Sequence, residues 1–277
     1  MVSSRPMNSA RLAWAATLAC VLHASVAAAE GPCDRGRPGL GTPIRVPVFG
    51  PADLGVAQEA CARTSLTVES RLALLIAEDD FYGSVLMGAA LRASLRLPFA
   101  GAWLSAWLPG LEYRFVANAT VESDGARVGA GALGLHAPIA RTERAQLVAY
   151  GRLLLPTETV FARARRYGFE PGLSGVWSRG AFELVGSLSF ASLITTVPGR
   201  ATLEWAPAAT TDLIFRPVRG FGVAVGAGLR PLQSFDPHAQ LRFYPYRALA
   251  ISLGAALPVG GRDRTNLAGA VSIGWDD

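Results

Sequence analysis

Proton transfer between side chains on a β-strand needs a particular spacing. A histidine and a serine two residues apart share one face, because side chains alternate with period two, and that puts a base within reach of a nucleophile. The chain holds three histidines, His23, His136 and His238. His136 is followed by Ala137-Pro138 and His238 by Ala239-Gln240, so neither meets the requirement. Asp236-Pro237-His238 sets a carboxylate two residues before a histidine, but Asp-Pro initiates turns, and a turn is the simpler reading. No catalytic residue and no cofactor follow from these patterns, and the chain reads as a non-enzyme.

Binding chemistry is no richer at first sight. Glu78-Asp79-Asp80 offers clustered carboxylates of the kind hard cations prefer, yet no glycine-spaced ligand loop surrounds them. A solvated hairpin tip accounts for them, and no metal site is expected. Arg163, Arg165 and Arg166 suit phosphate groups through charge-assisted hydrogen bonds, or form a charged loop; the two readings stand level. The chain contains no lysine, and its arginines are spread singly rather than gathered in one patch, which argues against nucleic acid. Cys33 and Cys61 are an even pair in an exported chain, with no histidine or further cysteine near either, so a disulfide is expected rather than a metal site.

Export is read from residues 1–29. Arg5 and Arg11 supply the charged start, Leu12–Ala24 the short apolar core, and Ala27-Ala28-Ala29 a small-residue cleavage site before Glu30. Residues 30–64 are an N-terminal extension rich in Gly, Pro and Arg near its start, in which Ala52–Ala62 has the makings of about two helical turns. This extension either caps the rest of the chain or folds into it.

The elements that must position any site begin at Ser65. Phe81–Leu97 is typical: Val85, Met87, Ala89, Leu91, Ala93, Leu95 and Leu97 form one greasy face, and Arg92, Ser94 and Arg96 mark the other. Leu66, Val68, Leu72, Leu74 and Ile76 oppose Thr67, Glu69 and Arg71 in the same manner. Such segments recur to the end of the chain, many longer than the five or six residues usual in soluble strands and long enough for the nine to eleven that cross a bilayer. Trp103 and Trp107 are spaced for a helical turn, or for an aromatic girdle at a membrane interface. Pro156–Gly172 reads as the longest connection, and Pro207 as a bulge or break.

With 51% hydrophobic and 17% charged residues, the chain is apolar, yet no long uncharged run follows residue 29. A strand in lipid needs backbone partners on both sides, which only closure supplies. The fold expected over residues 65–277 is therefore all-β: an antiparallel transmembrane β-barrel of about twelve strands, within ten to fourteen. A soluble exported barrel or sandwich is the rival, disfavoured by the apolar character of both faces at Leu86–Ala90 and Gly129–Leu135.

The leader, the antiparallel meander and the closing strand Asn266–Trp275 together resemble Gram-negative outer-membrane β-barrel proteins as a class. The resemblance implies an outer-membrane location. It also implies contact with outer-membrane lipids including lipopolysaccharide, and handling by the barrel-assembly machinery, with Val271, Ile273 and Trp275 as the alternating terminal signal.

Within such a barrel the lumen is the tolerable place for charge. Arg71, Arg92, Arg96, Glu112, Arg114, Arg152, Glu183 and Arg242 oppose the apolar stripes and are the lumen-lining candidates. They either fill a narrow barrel as ion pairs or line a narrow, weakly anion-selective pore. A non-conducting structural barrel is the alternative to that porin-like channel.

Overall fold

The computed structural model describes residues 31–34, 39–44, 58–76, 83–98, 101–117, 125–128, 131–156, 165–197, 199–229, 235–246, 248–259 and 267–276. The leader, Glu78–Asp80 and Arg163 lie outside them, as does most of Ala52–Ala62. Its described end, residues 58–62, is not helical.

Antiparallel strands account for nearly everything from Ser65 onward. They are β1 (Ser65–Ile76), β2 (Gly83–Arg96), β3 (Trp103–Ala117), β4 (Gly125–Val128), β5 (Gly131–Arg141), β6 (Ala145–Leu155) and β7 (Arg165–Arg179). β8 (Phe182–Val197), β9 (Arg200–Val218), β10 (Phe221–Leu229), β11 (Phe235–Tyr246), β12 (Leu249–Ala256) and β13 (Leu267–Asp276) follow. β1 pairs with β2 on one side and with β13 on the other, Leu66 facing both Ala93 and Trp275, so the sheet closes. Twelve strands make the ring; the short β4 is an extra strand laid against β3 at Leu111–Arg114.

Alternation is kept around the ring with charge inside and hydrocarbon outside. On β1, Leu66, Val68 and Leu72 are exposed while Glu69 and Arg71 are buried. On β11, Phe235, Leu241 and Phe243 are exposed while Asp236, His238, Gln240 and Arg242 are buried. Such an inverted arrangement would be untenable in water and is what a bilayer requires. This removes the soluble alternative. Two belts of outward aromatics mark the interfaces: Trp177, the tilted pair Phe182–Phe215, and Trp275 at one end, and Tyr167, Phe169 and the pair Phe190–Trp205 at the other.

Several strands run further than the sequence suggested, for local reasons. Residues 165–172 are not a connection; β7 begins at Arg165. Trp103 and Trp107 stand neither on a helix nor in a girdle. Both belong to β3 and point inward, 0% and 6% exposed. The register skip opposite Gly88 and Ala90, at Pro109–Glu112, separates this inward-tryptophan half of β3 from the half that follows. Pro207 does not break β9: its pairing with β8 is continuous there, and it lies beyond Ala209, the last residue with a β10 partner, where a missing N–H is tolerated.

Sidedness follows from the turns. At the end carrying Ser65 and Asp276, β5–β6, β7–β8, β9–β10 and β11–β12 are joined by two or three residues. At the other end the connections after β1, β6, β10 and β12 run from five to ten. Only the six residues of β2–β3 at the first end and the two of β8–β9 at the second stand against the trend. Short turns are periplasmic in this architecture and long loops face outward.

Candidate functional site

Inside the barrel, near its periplasmic end, sit the described residues of the N-terminal extension, 31–34, 39–44 and 58–64. A 3-10 turn at Pro32–Asp34 carries Cys33, whose disulfide to Cys61 joins the first and last of the segment's three described parts, with their Cα atoms 5.4 Å apart. Leu40, Ile44, Ala60 and Cys61 are buried in one apolar cluster with Val176, Val185, Ile214 and Ala224, inward residues of β7, β8, β9 and β10. The described part of the extension thus plugs the barrel rather than capping it from outside.

Polar groups of the wall hold the plug by its backbone. Glu183 Oε1 accepts the Gly41 N–H at 2.5 Å, and Asp212 Oδ2 accepts the Ile44 N–H at 2.7 Å. Arg216 donates to the Gly39 carbonyl at 2.8 Å, Gln146 to the Ala60 carbonyl at 2.8 Å, and Ser174 to the Glu59 carbonyl at 3.0 Å. A segment with little secondary structure of its own must place its backbone groups somewhere, and here the barrel wall accepts them. Bonds to ionised partners are the stronger kind, so Glu183 and Asp212 are the principal anchors.

Above the anchors the wall is a ladder of ion pairs. Arg71 donates to Glu69 at 2.8 Å, and Arg92 reaches the same carboxylate at 3.4 Å. Both guanidinium groups also face the Trp107 ring, with their central carbons 4.4 and 3.7 Å from its centroid. Arg152 pairs with Glu170 at 2.8 Å, and Arg216 with Glu183 at 3.1 Å. Trp107 meets Ala90, Ala132, Leu154 and Ala191 in a second apolar cluster, so bulky side chains also narrow the lumen.

Two histidines complete the lining, His136 two residues after Gly134 on β5 and His238 opposite Gly226. Ser105 Oγ lies 2.9 Å from His136 Nε2, and a Cβ on Gly134 would come within 2.5 Å of that hydroxyl. His238 Nδ1–H donates to the Asp236 carbonyl at 2.8 Å, so the 2.6 Å contact of its Nε2 with Asp212 Oδ1 requires a proton on one of those two atoms. Gly226 makes room for that contact, since a Cβ there would stand 2.1 Å from Asp212 Oδ1 and 2.7 Å from His238 Nε2. Among the described residues, no group of three or more His, Cys, Asp and Glu side chains is placed to hold a metal ion.

The candidates named from sequence are distributed as follows. Arg71, Arg92, Arg152, Glu183 and Arg242 face the lumen, Arg242 donating to Gln240 at 2.6 Å. Arg96 ends β2 and is exposed at the periplasmic rim, apart from the others. Glu112 and Arg114 pair by backbone with Gly88 and Leu86; their side chains lie outside the described ones. The lumen-lining candidates read from sequence do not include Glu170, Asp212, Arg216 or His238. Asp212 and Arg216 carried the necessary signal, alternating with outward Leu213 and Phe215. Glu170 was hidden by reading residues 156–172 as a connection, and His238 by reading Asp-Pro as a turn.

No protein family and no curated protein sequence matches the chain. Solved structures do match. An outer membrane channel from Pseudomonas putida F1 superimposes with a TM-score of 0.62 at 14% identity, over 83% of this chain and all of the other. The translocator domain of the autotransporter NalP from Neisseria meningitidis gives 0.49 at 11% identity, over 96% and 97% of the two chains. The KdgM porin gives 0.46 at 9%, over 76% and 98%. The likeness to the first is one of fold, and the membrane in question is the outer membrane.

Proposed function

We propose that this outer-membrane barrel is a narrow channel for small solutes, weakly selective for anions and closed at rest by its own N-terminal extension. The observation that carries the reading is the plug: a disulfide-clipped segment held in the lumen by Glu183 and Asp212. A barrel that served only as a structural element would have no need of a separate, side-chain-anchored stopper. Twelve strands fall between the eight that side chains alone fill and the sixteen or more of an open porin, so the bore is narrow. With Arg5 and Arg11 set aside, 24 of the 26 basic residues remain and still exceed the 21 acidic ones, and arginine in the wall favours anions where water passes.

In this reading Arg71, Arg92, Arg152 and Arg242 line the path with Glu183, and Arg96 collects anions at the periplasmic mouth. Glu112 and Arg114 would serve nearer the outer face. Residues 1–29 direct export, 30–64 form the plug and 65–277 the barrel. Assembly proceeds through the barrel-assembly machinery, lipopolysaccharide and phospholipid are the surrounding partners, and no reaction is catalysed. Reversal potentials in planar bilayers under a KCl gradient test the selectivity. A shift toward the chloride potential, reduced in the Arg71→Ala/Arg92→Ala variant, is expected; a shift toward potassium would overturn it.

A further inference from the structure

One side of the lumen, between the plug and strands β2, β3, β5 and β6, holds a cavity of about 50 Å³. Donors predominate in its lining, beside Gln58, His136 and Glu59, which can accept. The guanidinium groups of Arg92 and Arg152 and the indoles of Trp103 and Trp107 border it, and all four only donate hydrogen bonds. Trp103 Nε1 and Trp107 Nε1 are buried without a hydrogen-bond partner, a state folded proteins avoid unless something else satisfies the donor. Ser94 and Ser105 add hydroxyls, and the tryptophan faces, with the methyls of Ala93, Ala106 and Ala132, make flat apolar walls. Such a lining suits a flat carbon body carrying an acceptor-rich, negatively charged end.

The plug presents that kind of end to the cavity. The Glu59 carboxylate borders it, accepting from Ser94 Oγ at 3.4 Å and lying 3.9 Å from Arg63 of its own segment. From these contacts we infer that the cavity is a binding site for a small aromatic carboxylate, and that Glu59 stands in its carboxylate position while the plug is seated. The inference rests on the channel reading above and gives that channel a substrate class. The space beside Glu59 holds about one or two waters, a water occupying roughly 30 Å³ of liquid, so an aromatic ring enters only as Glu59 withdraws. Ligand binding and release of the plug are therefore linked: the ligand favours the unseated state by occupying the place of Glu59.

Benzoate is the probe, with benzyl alcohol as its uncharged counterpart and chloride as a bare anion. Trp103 and Trp107 report binding directly through the intrinsic fluorescence of the full-length, detergent-folded protein, and heat-modifiable gel mobility verifies folding of each variant. A saturable change with benzoate is expected, absent with benzyl alcohol and chloride. Glu59→Gln should tighten benzoate about tenfold by removing the competing charge, and Arg92→Gln should weaken it about tenfold. No saturable change in native and Glu59→Gln protein, an equal response to benzyl alcohol, or unaltered affinity in Glu59→Gln would each overturn the inference. Binding is read without current, so the two proposals fail separately. A benzoate site in a protein that never conducts would sink the channel and leave the site; conduction without a benzoate site would do the reverse.

Discussion

At the scale of single residues, the lumen is governed by charges that are safe only in company. Arg152 and Glu170 are 4% and 0% exposed and meet at 2.8 Å. Removing one member of a buried pair strands the other and costs about 3–5 kcal/mol, whereas replacing both by apolar side chains of similar volume is often neutral. Arg152→Ala should therefore lower the unfolding free energy of the detergent-folded barrel, read from urea titration, by that amount, and Arg152→Met/Glu170→Met should restore most of it. A double variant as unstable as the single would show that the pair itself holds the wall. Gly226 gives a second prediction. An alanine methyl there would displace Asp212 from His238 and disturb the carboxylate that anchors Ile44, so Gly226→Ala should loosen the plug while the barrel still folds, read as faster proteolysis of residues 31–63. Inward charge on β1 and β2 was legible because period two holds without interruption there. Asp212, whose meaning depends on a plug backbone 168 residues distant, was legible as an inward position but not as an anchor.

At the scale of elements, the plug is the part with least structure of its own and most dependence on the wall. Its described residues form one short 3-10 turn, and the disulfide spans a separation of 28 residues. Closing a loop of that size restricts the free segment by about 3–4 kcal/mol in the chain-entropy view. Reduction, or Cys33→Ser/Cys61→Ser, should leave barrel mobility on gels unchanged and raise the frequency of open events in bilayer recordings. Equal gating with and without the bond would remove the disulfide from the closing mechanism. The cysteine pairing could be read from sequence, since two thiols in an exported chain allow one bridge. Whether the segment capped or filled the barrel could not, because the wall partners of its apolar residues Leu40, Ile44 and Ala60 stand on strands more than 100 residues away. Trp103 and Trp107 mislead for a related reason. Tryptophan is common in girdles, and only the register of β3 against β2 and β5 turns these two inward.

At the scale of the molecule, twelve strands close around a lumen with hydrocarbon outside and ion pairs within, and the chain's own N-terminal segment fills the periplasmic part. Strand number and closure were legible because alternation and turn residues repeat along the whole chain; the two ends meet through β1 and β13 as that count requires. The central claim is that a conducting path exists and that residues 31–63 obstruct it. Single-channel recording of the full-length protein beside a form lacking that segment tests it most directly, once both have been verified as folded by heat-modifiable mobility. The account predicts rare, brief openings from the full-length protein and steady anion-favouring conductance from the shortened one. Silence from a folded, plug-free barrel would contradict it.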